Sequence, residues 1–186
     1  MRLEIRVAGF GGRGIIRAGL MLATAASIYE NKNAVQTQSY GPESRGGACK
    51  SEIVISDEEI DFPKVIEPDI LIVMSQEAYD THVDTTKKGG TLLLDSDLVP
   101  REKLTPNIRV FKVPATKIAE KLGKTLVANV VMLGALTSIT NLVSVKSMKK
   151  SILGTIPKGT EKLNLEAYKK GNDYGKGLLQ KQTSEN

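Results

Sequence analysis

The hydrophobic and polar positions change period several times along the chain, and each change predicts an element. Arg2–Ala8 alternates, with Leu3, Ile5 and Val7 on one side, and predicts a strand. From Gly14 to about Glu30, Ile15, Ile16, Gly19, Leu20, Ala23, Ala26 and Ile28 recur at helical spacing. Ala34–Gln38 predicts a second strand, the Gly41-Pro42 and Gly46-Gly47 pairs punctuate a loop, and Ala48–Ser56 reads as a strand again. DILIVM, Asp69–Met74, is a continuous apolar run of the kind a buried parallel strand carries, and TLLLD (91–95) and IRVFKV (108–113) repeat it. Helices are predicted over about Gln76–Lys87, from Pro114 through Leu122, over the apolar run Leu126–Val143, and around MKKSIL. A last helix follows, with a frayed tail at 179–186.

Strands alternating with helices predict an α/β fold, a three-layer α/β/α arrangement on a mostly parallel central sheet. A length of 186 residues with 40% hydrophobic content suits one domain, placed at 1–178. In such sheets ligands gather beyond the carboxyl ends of the strands, where the GFGGRG loop (9–14) and the SYGPESRGG loop (39–47) are both expected.

Composition narrows the function classes. The balance of 26 basic against 21 acidic residues gives +5, a modest excess, and five Tyr, three Phe and no Trp leave few rings for stacking bases, so no nucleic-acid partner is expected. The single cysteine, Cys49, can form neither an internal disulfide framework nor a C-x-x-C metal or cluster site, and it points to a reducing, cytoplasmic setting. Glu4 and Arg6 interrupt the apolar start, so no secretory signal is expected. Leu126–Val143 is uncharged and long enough to consider as a membrane span, but Asn129, Thr137, Ser138, Thr140 and Asn141 favour a helix buried in protein.

The candidate chemistry lies in the two glycine-rich loops. Gly9, Gly11 and Gly14 have the G-x-G-x-x-G spacing, which permits a tight turn and presents free helix amides to an anion, while Gly12 and Arg13 add flexibility and a cation. A ribose-binding acid is missing, because the second strand ends in Gln36-Thr37-Gln38, and no Lys-Ser or Lys-Thr follows Gly14 as in a P-loop. Nucleotide binding and a turn that simply packs helix on sheet both remain open on these residues. In the second loop, Ser39, Tyr40, Glu43, Ser44 and Arg45 crowd polar and charged groups between glycine turns, a composition that suits a phosphate, a partner subunit or a solvated turn. His82, between Asp80 and Asp84, reads as a solvated surface histidine, and Cys49 as a small packed residue. No catalytic residue and no metal site is assigned.

The segments GFGGRG, QSYGPESRGGACKSEIVIS, PDILIVMSQEAY, NVVMLGAL and NLEAYKKG, in this order from Ile5 to about Gly171, resemble the gamma subunit of 2-oxoacid:ferredoxin oxidoreductases. QSYGPESRGG looks most like the 2-oxoglutarate branch, although pyruvate, ketoisovalerate and aryl-pyruvate relatives have similar gamma chains. The resemblance implies an enzyme that turns a 2-oxoacid and coenzyme A into acyl-CoA, carbon dioxide and reduced ferredoxin. It places thiamine diphosphate and 4Fe–4S clusters in alpha, beta and ferredoxin-like delta partner subunits. It also implies that this chain helps close the site, with Gly11, Gly12, Arg13, Ser44, Arg45, Gly46 and Gly47 as candidates for contact with coenzyme A or with a subunit. A subunit of this kind is expected to expose apolar surface around Val127–Leu142 for its partners. A free-standing nucleotide-binding enzyme and a pure assembly subunit are the competing readings.

Overall fold

A computed structural model describes residues 1–41, 47–103 and 105–184, with side chains to 182. The elements in chain order are β1 (Arg2–Phe10), α1 (Ile15–Glu30), β2 (Asn33–Tyr40), β3 (Ala48–Ser56), β4 (Ile70–Met74), α2 (Gln76–His82), β5 (Thr91–Asp95), β6 (Arg109–Val113), α3 (Ala115–Lys121), α4 (Ala128–Thr140), α5 (Val145–Thr155) and α6 (Glu161–Ser184). Short 3-10 turns, Val83–Thr85 and Thr125–Val127, follow α2 and precede α4.

The strands form one sheet in the order β2-β3-β1-β4-β5-β6. β1, β4, β5 and β6 are parallel neighbours, and the apolar runs ILIVM of β4 and LLL of β5 follow from burial on both faces, since every residue of β4 and β5 is buried. The other end of the sheet is antiparallel, with β3 against β1 and β2 against β3. The second strand of the chain is therefore an edge strand, not a neighbour of the first.

Helices cover both faces. Ile5, Val7, Ile53, Ile55, Ile72, Met74, Leu93 and Phe111 form a core with α1, α3, α4, α5 and α6. On the opposite face Ala8, Leu71, Val73, Leu92 and Leu94 pack against Ala78 and Tyr79 of α2 and Val83 beyond it. The result is the α/β/α layering expected from the sequence, with five helices on one side and one on the other.

The apolar run near Leu126 becomes α4, which is buried all round from Ala128 to Ile139. Thr137, Ser138 and Thr140 return their hydroxyls to the carbonyls of Leu133, Ala135 and Leu136, so polar groups on a buried helix keep their partners. α6 lies against α4 at glycine positions: a Cβ on Gly134 would overlap the Tyr168 carbonyl, and one on Gly171 the Val131 carbonyl. This corrects the expectation of exposed apolar surface at Val127–Leu142. Leu126 is 64% exposed, but Val127 is 5% exposed, and the helix that follows is sealed by α6 within the same chain. Among the described residues no helix is long and apolar enough to cross a membrane.

His82 also departs from its expected place on the surface. It is half-buried, and burial, followed by repulsion from Arg6 and Lys50, pushes its pKa down to about 4 against the weaker attraction of Glu52. Arg6 itself is buried on β1, with Nε donating to Glu52 Oε1 at 2.7 Å, Nη1 to Thr85 Oγ1 at 2.8 Å and Nη2 to the Val65 carbonyl at 2.8 Å. Every direction of this guanidinium is used, which is what makes a buried charge tolerable.

Two outcomes follow. Gly171→Ala is expected to destabilise the fold by about 3 kcal/mol or more, because the obstacle is backbone; a melting temperature within about 2 °C of the parent would refute the α4–α6 crossing. For His82, the folded pKa lies below the unfolded one, so the unfolded chain binds the extra proton. Stability is then complete above about pH 6.5 and is lost as pH falls toward 4. His82→Asn should flatten that slope in urea midpoints measured from pH 7 to pH 4, roughly the interval between the two pKa values.

Candidate functional site

β1 runs into α1 on the larger helical face, whereas β4 runs into α2 on the other. The carboxyl ends of β1 and β4 are adjacent, with Gly9 opposite Met74, so a crevice opens there where successive connections diverge. The GFGGRG loop sits at this point. The Arg13 amide reaches the Phe10 carbonyl at 3.4 Å, and Gly12 and Gly14 turn the chain with φ of 83° and 74°. Glycine is required at both positions by the left-handed backbone, and at Gly9 by space, since a Cβ would lie 2.8 Å from Ile15 Cδ1.

Gly14 caps α1 without any side-chain acceptor, and no acidic residue occupies the first turn. The amides at the start of a 16-residue helix therefore face outward with their partial positive charge uncompensated. Asn129, 4% exposed on α4, fixes the turn from behind by donating Nδ2–H to the Gly14 carbonyl at 3.0 Å.

The second glycine-rich segment meets the first. Phe10 pairs with Ala48 and Gly9 with Cys49, and beyond the last pair the Gly11 amide donates to the Gly47 carbonyl at 2.8 Å. Gly11 and Gly12 line a cleft of about 850 Å³; Arg13 belongs to the same turn without lining it, and Gly47 is buried beneath. Ser44, Arg45 and Gly46 lie outside the described residues.

The remaining walls come from Arg17 and Leu20 of α1, Gln36, Gln38 and Tyr40 of β2, Cys49 of β3, Lys124 and Leu126 before α4, and Thr160 and Asn164 at α6. Among the described residues Arg17 and Lys124 are the charged side chains of this lining, and both are cations. Gln36 stands where a dinucleotide fold would use an acid, and its amide is committed to the Ile16 carbonyl at 3.0 Å and Ser51 Oγ at 2.7 Å. Burial pushes the Cys49 thiol up, so it stays protonated and is a poor nucleophile. His82 is absent from the lining, and among the described residues no group of His, Cys, Asp and Glu could hold a metal ion. The arrangement can bind an anion with an apolar portion; it has no acid–base pair to transform one.

A second cavity, about 560 Å³, opens at the amino ends of the strands beside Lys87, Lys88 and Arg109. Its amides at Gly89, Gly90 and Thr91 are already taken by the carbonyls of Asn107, Lys87 and Asp69, and Asp69 pairs with Lys87 at 2.8 Å. The glycine-loop cleft is thus the better anion site on physical grounds.

Residues 4–174 match the pyruvate ferredoxin/flavodoxin oxidoreductase family. The chain belongs to this family. It is 58% identical to the 2-oxoglutarate synthase subunit KorC of Methanocaldococcus jannaschii, over 96% of each chain, and 52% identical to the subunit of the same name from Methanothermobacter marburgensis, over 93% of this chain and 96% of that one. The gamma subunit of a keto/oxoacid ferredoxin oxidoreductase from Geobacter sulfurreducens superposes with a TM-score of 0.82 at 43% identity, covering 93% of this chain and 98% of that one. A 2-oxoglutarate:ferredoxin oxidoreductase from Magnetococcus marinus, solved with 2-oxoglutarate, coenzyme A and succinyl-CoA bound, superposes with a TM-score of 0.85 at 26% identity; the match covers 95% of this chain and 31% of that longer one. The resemblance read from the sequence and the fold class are both borne out, and the homologues are subunits of an oxidoreductase complex.

In this oxidoreductase family member, several lining residues went unread in the sequence. Arg17 and Lys124 sit in no motif, and Gln38 reaches the cleft only because β2 pairs with β3, whereas Tyr40, read in the sequence as part of the second loop, does line it from the end of β2. Asn129 carried a readable signal, an amide in the first turn of α4 ahead of the apolar stretch VVMLGAL. Asn129→Ala should remove about 1 kcal/mol of support from the Gly14 turn and speed amide hydrogen exchange at 12–16 roughly fivefold; unchanged exchange would deny it that role.

Proposed function

We propose that the chain is the gamma-type subunit of a 2-oxoglutarate:ferredoxin oxidoreductase, and that its glycine-loop cleft contacts coenzyme A and helps close an active site carried by partner subunits. The observation that carries this reading is the junction of the two glycine-rich segments, where the α1 amides, Arg17 and Lys124 surround a cleft with no lining carboxylate among the described residues. Phosphates of coenzyme A suit such a surface, because helix amides and a guanidinium both bind phosphate oxygens. Leu20, Tyr40 and Leu126 offer apolar contact for the remainder of the molecule. The substrate assignment rests on the similarity to 2-oxoglutarate synthase subunits.

Within that reading the chain binds and orients while others react. Thiamine diphosphate supplies carbanion stabilisation, and iron–sulfur clusters take two electrons for ferredoxin. Cys49, the single cysteine, cannot ligate a cluster, so these groups belong to alpha, beta or delta partners. No residue of this chain is given a bond-making role, and the purified chain alone is expected to reduce no acceptor with 2-oxoglutarate and coenzyme A.

The test is made in the assembled enzyme. Replacing Arg13 and Arg17 together by Ala is expected to raise the apparent KM for coenzyme A about tenfold, corresponding to roughly 1.5 kcal/mol for an exposed charge-assisted contact, while subunit composition and kcat at saturating coenzyme A stay near the parent values. An unchanged KM in an intact complex would leave the pure assembly reading. Turnover by the isolated chain would overturn the subunit reading altogether.

A further inference from the structure

The two edges of the sheet are built differently. β6 is five residues long and carries Arg109 and Lys112, charges of the kind that keep an edge from pairing with another strand. β2 is eight residues long, NAVQTQSY, with neither charge nor proline, and its register with β3 runs without a bulge from Asn33 opposite Ser56 to Tyr40 opposite Cys49. Among the described residues its only strand partner is β3, so the backbone groups on its outer side are a template for another strand.

α1 extends this surface. Ala34, Gln36, Gln38 and Tyr40 share the sheet face that packs on α1, and Gln36 is bonded to the Ile16 carbonyl. On the solvent side of α1, Leu20 is 45% exposed and Ile28 is 67% exposed, with Thr24 between them at helical spacing. Acidic and basic residues make up 25% of the chain, yet none falls within 18–29 or 33–41.

We propose that the β2 edge and the adjoining outer stripe of α1 form a homotypic interface, with β2 of one copy pairing antiparallel to β2 of a second copy about a two-fold axis. The charge pattern selects the occupant. Two copies of a chain carrying +5 repel, so they meet most readily where neither presents a charge. A two-fold antiparallel pair sets each uncharged residue of β2 against another uncharged residue, whereas the same pairing of β6 would gather four like charges, Arg109 and Lys112 of each copy, into one five-residue seam. An edge without charge offers nothing by which a charged partner strand would be selected. Paired in this way, the two sheets become one continuous sheet, with Leu20 and Ile28 flanking the seam.

The experiment is sedimentation velocity on the full chain across the micromolar range, with Thr37→Lys on the edge and Ile28→Glu on the helix stripe as variants. A reversible dimer is expected, weakened about tenfold or more by each substitution, with circular dichroism unchanged and melting temperature unchanged at concentrations where the parent is monomeric. Ile28 is exposed in the folded chain, so its variant carries the test even where a strand substitution disturbs folding. In a pair centred on Thr37, Thr37→Cys lies opposite its own copy on the sheet face away from α1 and should yield a disulfide-linked dimer of this chain on oxidation, in the purified chain and in the assembled enzyme alike, whereas Val35→Cys and Ser39→Cys should cross-link only when the two variants are mixed. A monomer throughout the range, a dimer indifferent to both charges, or cross-linking of these cysteines to a different subunit would each overturn the proposal.

Discussion

Close approach of one backbone to another, possible only where a side chain is missing, sets the position of the larger helical layer. Gly19 lets α1 settle onto Ser51 of β3, Gly14 lets Asn129 of α4 reach the glycine loop, and Gly134, Gly171 and Gly175 let α6 lie directly on α4. A methyl group at any of these positions would meet a carbonyl or a polar side chain, not a compressible apolar neighbour. The cleft inherits its shape from this sequence of contacts. α6 fixes α4, α4 holds the Gly14 carbonyl through Asn129, and the held turn aims the first amides of α1 at the carboxyl edge of the sheet.

Most of this architecture was legible in the sequence because it rests on local periodicity. β4 and the middle of β5 announced themselves as apolar runs because both strands are buried on both faces, and buried Asp95 at the end of β5 is satisfied by the Thr116 amide and hydroxyl. The glycine loop was legible because its φ values demand glycine. What depended on long-range partners was not. The position of β2 at an edge, antiparallel to β3, follows from pairing that leaves no mark on NAVQTQSY itself. The apolar run of α4 suggested a surface awaiting other subunits, whereas the covering element was the C-terminal helix of the same chain, more than thirty residues away in sequence, roughly an ordinary separation for a tertiary contact.

His82 illustrates the same limit in electrostatics. Its sequence neighbours, Asp80 and Asp84, suggested a solvated surface histidine. The folded chain instead half-buries it and sets Arg6 and Lys50 from the sheet nearby, and both effects push its pKa down. Sequence adjacency thus misjudges this half-buried group, because residues two apart on a helix point in different directions while the sheet packs against the buried side.

The distribution of charge separates two kinds of recognition on one molecule. Around the glycine loop, fixed dipoles and the cations Arg17 and Lys124 line the cleft with no carboxylate among the described lining residues, an arrangement whose free energy improves when an anion arrives. Along β2 and the outer side of α1 charge is absent, and what stands unsatisfied is backbone hydrogen-bonding capacity and apolar area. The first surface discriminates by sign and phosphate geometry; the second discriminates by strand direction and register. Tyr40 and Leu20 belong to both, so occupancy of the edge restricts the mouth of the anion cleft, and the two recognition events share side chains and cannot be energetically independent.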